Sequence, residues 1–193
     1  MNSLQKFKFK RLQKKLHKLH KLYEQDGAET QLKALISAFY SLAEFYKKHR
    51  FDKELPNAEF HALECYRVLS SFGDVKAQYL LGEGLLNYGK FWTDLSRNPL
   101  YKTNQARVYA KSFFEESRVY LQAADDQDYF LARRLLGMIY IHGWGCTPDL
   151  QKGYQLILES IDLEQAWSKA TQIFDVLQLN SPEFFASLRA YKG

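Results

Sequence analysis

Small residues recurring at helical spacing restrict the fold of this chain more than any other feature. Ala132, Leu136 and Tyr140 fall on one helical face, Gly137 follows Leu136, and Gly143-Trp144-Gly145 closes the segment. Ala77, Leu81-Gly82, Leu85 and Gly89 repeat the pattern upstream. Ala38, Leu42-Ala43 and Tyr46 give a third copy, and Ala166, Ala170-Thr171 and Phe174 a worn fourth. The leading alanines are separated by 39, 55 and 34 residues. Glycine inside a helix costs about 1 kcal/mol relative to alanine, so Gly82 and Gly137 imply close helix packing that outweighs the cost. Each unit then reads as helix, turn, helix. Alone, such a hairpin leaves its apolar face in water, so the units must stack.

Periodicity predicts an all-α chain with almost no strand. Residues 4–25 form one helix with Leu12, Leu16, Leu19 and Tyr23 on a stripe and Gly27 as its stop. Residues 28–49 form the second, and Pro56 suits the first turn of a third that runs to Ser71. Asp74 caps a fourth helix over 74–87, which Gly89 ends. A connection over 90–104 follows, long for a helical hairpin, and carries Phe91, Trp92 and Tyr101. A helix over 105–124 points Val108, Tyr109, Phe113, Val119, Tyr120 and Ala123 inward, and Asp125-Asp126-Gln127-Asp128 caps the next, over 129–142. Thr147-Pro148 opens another that ends near Ser160, residues 163–179 form one more, and Ser181-Pro182 starts a short last helix to Tyr191.

The stretch from Ala132 through Leu136-Gly137, Tyr140, Gly143-Trp144-Gly145 and Asp149 resembles the Sel-one-like repeat, a relative of the tetratricopeptide repeat. Cys146 replaces the usual Val, and Lys152-Gly153 stands where Lys-Ala is usual. Residues 74–170 carry the likeness well, and 28–191 more loosely. The resemblance implies a right-handed α-solenoid of about four antiparallel helix pairs. The expected layout is a basic amphipathic N-terminal helix over 1–27, then one repeat domain over 28–191. Its approximate units are 28–73, 74–127, 128–161 and 162–191, with a short C-terminal capping helix. It also implies a non-catalytic adaptor or scaffold, often tied in bacteria to secretion, virulence or signalling assemblies. A protein or peptide partner would sit on the concave face. Tyr79, Glu83, Arg133 and Arg134 are the candidates there, joined by Phe91, Trp92 and Tyr101, since aromatic and Arg side chains are common hot spots. The 90–104 aromatics equally suit a loop folded back onto its own scaffold.

Charge adds a second feature. The chain carries +5, but residues 1–22 hold eight of the 27 Lys and Arg and no acid, which leaves the remainder net acidic. Lys10, Arg11, Lys14, Lys15, Lys18 and Lys21 occupy the faces around the Leu stripe. Such a helix caps the first repeat with its stripe while its cations face water, or binds an acidic surface. An acidic protein ranks ahead of an anionic membrane or nucleic acid. A repeat reader of RNA would need base-reading side chains at fixed positions, and none recur.

No catalytic pattern is present. Gly82-Glu83-Gly84 follows no strand, so it is not a phosphate loop, and neither Gly-x-Ser-x-Gly nor His-Glu-x-x-His occurs. His61 and Cys65 share a helical face without a second ligand pair, which suits packing better than a metal. The expectation is no enzyme, no cofactor and no metal. Two distant cysteines, no apolar run of spanning length and no secretory leader point to the cytoplasm.

Overall fold

The computed structural model describes residues 1–98 and 104–192, which form helices joined by turns and short connections, with no strand among them. In order they form α1 (Ser3–Asp26), α2 (Glu29–Lys48), α3 (Ala58–Ser71), α4 (Val75–Arg97), α5 (Asn104–Asp125), α6 (Phe130–His142) and α7 (Leu150–Glu164). A 3-10 turn at Trp167–Lys169 leads into α8 (Ala170–Val176) and α9 (Pro182–Lys192). Two compact units divide the chain, Met1–Ala77 and Gln78–Gly193.

The first unit is an antiparallel stack of α1, α2 and α3. Its core is Leu35, Ala38, Phe39, Leu42 and Ala43 of α2 against Ala62, Cys65, Tyr66 and Leu69 of α3. The basic helix packs within this unit. Its stripe is half-buried at Phe9, Leu12, Leu16, Leu19 and Tyr23. Phe9 stacks on Phe45 at 5.2 Å and meets Tyr46 edge-on at 5.6 Å, and Tyr23 meets Phe72 edge-on at 5.8 Å. Lys6 and Glu54 pair at 2.7 Å, fixing the N-terminal turns to the α2–α3 connection. Gly27 ends α1 at φ 61, the left-handed conformation that glycine adopts without a Cβ clash. Asp74 accepts from the Ala77 N–H at 2.8 Å and from the Tyr40 hydroxyl at 2.5 Å, so the cap of α4 is also tied to α2.

The second unit rests on two close-packed seams. Along α4 and α5, a Cβ on Gly82 would lie 2.6 Å from Leu121 Cγ, and one on Gly89 2.4 Å from the Phe114 ring. Ser117 Oγ donates to the Gly82 carbonyl at 2.7 Å within the same seam. Along α6 and α7, a Cβ on Gly137 would meet Ile157 Cγ1 at 2.6 Å and the Gly153 carbonyl oxygen at 2.7 Å. Gly153 faces Ile141 and the Gly137 carbonyl in the same way. These helix crossings therefore use glycine for backbone approach. At the far end, Tyr154, Ile157, Leu158 and Ile161 of α7 join Ala166, Ala170, Phe174, Leu179 and Phe184 in one cluster.

Several expected boundaries move. Gly89 does not end a helix, because its φ is not positive, unlike Gly27 and Gly143, and the Phe114 ring fills the space its Cβ would need. α4 therefore continues to Arg97, so the expected 90–104 loop is helix over 90–97, and its residues 99–103 lie outside the described residues. The buried face of α5 is Ala106, Ala110, Phe114, Ser117, Leu121 and Ala124, while Val108 and Val119 are exposed. Small residues form that seam, so counting large apolar ones points to the wrong face. Pro56 sits before the left-handed N-cap Asn57 and outside the helix. Asp149, not Thr147, caps α7 by accepting from the Lys152 N–H at 3.0 Å. The helix expected over 163–179 is broken, since Gln165 (φ 55) and Gln178 (φ 57) take the left-handed conformation.

Candidate partner-binding surfaces

Of the aromatics placed in the expected loop, Phe91 and Trp92 lie on α4, and Tyr101 lies outside the described residues. Helical geometry brings Trp92 to Tyr109 of α5, with ring centroids 4.9 Å apart, and Phe91 meets Trp92 edge-on at 5.7 Å. Gln105 Nε2 donates to the Tyr109 hydroxyl at 2.9 Å and fixes that ring. Phe91 remains 56% exposed and Tyr109 40%, so a ridge of aromatic surface stands in water. Tyr109, expected on the inward face of its helix, is a surface residue, because small side chains form the buried seam of α5.

The second unit also holds a cleft of about 420 Å³, which none of the three ridge residues lines. Leu135, Met138 and Ile141 of α6 supply an apolar lining, and the 177–181 connection supplies Gln178, Asn180 and Ser181. Lys90, His142 and Trp144 also line it. The Lys90 ammonium sits 4.0 Å from the Trp144 ring centroid, and His142 stacks on the same ring at 4.4 Å. Burial lowers the pKa of Lys90, and burial with the Lys90 charge beside it lowers that of His142. Among the described residues, no carboxylate lines the cleft. Lys90 and Trp144 belong to different helical pairs in sequence, and no periodic signal links them.

The candidate arginines have intramolecular partners. Arg133 Nε donates to Asp125 at 2.5 Å, with Asp128 at 3.6 Å and Glu159 at 3.8 Å from the same guanidinium. Arg134 donates to Ser160 Oγ at 3.2 Å and to Glu164 at 2.5 Å. Both arginines thus join α6 to its neighbours. The expected capping role of the 125–128 turn is replaced by this pairing, because the α6 N-cap is Tyr129 with no side-chain cap bond. Asp125 is 8% exposed and Arg133 20%. Asp125→Ala is expected to cost about 2 kcal/mol, near the value of a hydrogen bond to a charged group, because Asp128 and Glu159 still screen the cation. Urea denaturation would measure it. Tyr79 donates to Glu83 at 2.7 Å and packs against Tyr129 at 5.1 Å, and burial first, then Glu83, pushes its phenol pKa up.

The remaining chemistry-bearing residues pack within the fold. His61 lies against Tyr46 at 5.2 Å, and burial pushes the Cys65 thiol up to about 12. Among the described residues, no three His, Cys, Asp or Glu side chains converge as metal ligands, and no helix is long and apolar enough to cross a membrane. The six cations named on α1 are all exposed. No family model and no curated protein matches this chain.

Proposed function

We propose that this chain is a non-catalytic adaptor of the Sel-one-like kind, a right-handed stack of about four helix pairs that holds a protein or peptide partner. The observation that carries the reading is the aromatic ridge in which exposed Phe91 and Tyr109 flank Trp92, and a cleft with an apolar lining in the same unit adds to it. Aromatic side chains held rigidly at the surface lose little entropy on binding and dominate the energetics of many interfaces. The glycine seams support the repeat reading, since close approach at matching phases is what the recurring pattern requires. The ion pairs of Arg133 and Arg134 shift the binding role from those arginines to the ridge. A partner would lay an apolar side chain against Phe91 and Tyr109 and a second one in the cleft.

Affinity capture from the native cell with wild type and with Phe91→Ala/Tyr109→Ala tests this reading. Truncating two hot-spot rings is expected to weaken a captured partner at least 30-fold, about 2 kcal/mol, with the helical content unchanged. Equal capture by both proteins would overturn the ridge as the binding element.

A further inference from the structure

The outward face of α1 is strongly basic, and its layout says more than its charge. The helix carries two stripes. Phe9, Leu12, Leu16, Leu19 and Tyr23 step by three and four and are half-buried within the first unit. Leu4, Phe7, Arg11, Lys14, Lys18 and Lys21 also step by three and four, and all six are exposed. This second row spans about 25 Å at 1.5 Å per residue. Lys10 flanks it on one side, and Lys8 and Lys15 on the other.

Two facts set this row apart from an ordinary solvated face. First, its cations have no acidic partners among the described residues, whereas Lys6 pairs with Glu54 and His20 approaches Glu24 at 3.3 Å. Second, Leu4 and Phe7 head the row at 74% and 65% exposure, although the docking stripe of the helix is already complete without them. Packing does not account for an aromatic ring on the opposite face. A surface that offers both anionic groups and an apolar layer beneath them does.

We propose that the outer row of α1 binds an anionic lipid headgroup surface. The helix lies in the plane of the interface, Leu4 and Phe7 enter the headgroup–acyl boundary, and the seven cations from Lys8 to Lys21 contact anionic headgroups. Mobile headgroups reach the flanking Lys8, Lys10 and Lys15 as well as the central row, which a rigid acidic protein surface does less readily. Duplex nucleic acid would meet the cations but leave Phe7 and Leu4 in water. The inference is independent of the aromatic ridge, which lies in the other unit.

Co-sedimentation of the full chain with phosphatidylcholine vesicles, with and without phosphatidylserine, tests the proposal. Binding is expected only where phosphatidylserine is present, and it should fall as salt is raised. At about fivefold per cation, Lys14→Gln/Lys18→Gln should weaken it about 25-fold. Phe7→Ser should weaken it severalfold at unchanged charge. All three side chains are exposed, so circular dichroism of the variants should match wild type. Binding to phosphatidylcholine alone, no binding to either vesicle, or vesicle binding indifferent to Phe7 would each overturn the proposal. So would duplex DNA capture in the absence of vesicle capture.

Discussion

Phe184→Ala is expected to lower the unfolding free energy of the second unit by about 3–5 kcal/mol, the range for truncating a buried aromatic ring. Phe184 is fully buried, meets Tyr154 edge-on at 5.3 Å and Phe174 at 4.8 Å, and is the one buried side chain of α9 among the described residues. The loss therefore combines a cavity with the undocking of a helix. An eleven-residue helix is marginal in water, so α9 depends on this contact. Ser181 already caps it by accepting from the Phe184 N–H at 3.1 Å, and that bond cannot replace the ring. At about 2–4 °C per kcal/mol, Tm should fall on the order of 10 °C. Amide exchange in α9 should rise to nearly that of an unprotected segment. A wild-type Tm in the variant would mean that α9 does not contribute its ring to the core.

Gly137→Val is the second large effect, expected at about 3 kcal/mol or more. The gain in helix propensity over glycine is a few tenths of a kcal/mol and cannot offset it. The obstacle decides the sign. Ile157 can rotate away from a new Cβ, but the Gly153 carbonyl oxygen at 2.7 Å is backbone and moves only if α6 and α7 separate. Gly27→Ala provides the contrast. Nothing lies within 4 Å of a Cβ there, and only the positive φ of 61 resists, at roughly 1–2 kcal/mol. Denaturation curves of the two variants should therefore differ by more than 1 kcal/mol. If Gly137→Val matched Gly27→Ala, close approach of the α6 and α7 backbones would not be the role of Gly137.

These cases also mark where the sequence was readable. The all-α class, the caps at Asp74 and Ser181 and the stop at Gly27 were legible because each depends on local chemistry, within four residues of the backbone group it satisfies. The breaks at Gln165 and Gln178 were not. Neither residue favours a left-handed conformation, so the surrounding packing imposes it. The glycine pattern was legible as a pattern, but the same residue type has two uses. Gly143 ends α6 at φ 66, whereas Gly89 continues α4 beneath the Phe114 ring. Only the neighbour 25 residues away separates them.

The candidate surfaces divide in the same way. The sequence alone determined the all-helical class, the apolar stripes of α1 and α2, the small residues that let helices cross and the concentration of positive charge in residues 1–22. Those properties follow from backbone geometry and from the order of residues along one helix. Tertiary structure alone decided which side chains remain free to meet a partner. It engaged Arg133 and Arg134 in ion pairs and turned Phe91 and Tyr109 outward. It also set Lys90 over Trp144 and left the outer row of α1 without carboxylate partners among the described residues. Freedom to bind depends on what lies opposite a side chain, and in a packed helical protein that neighbour comes from a distant part of the chain.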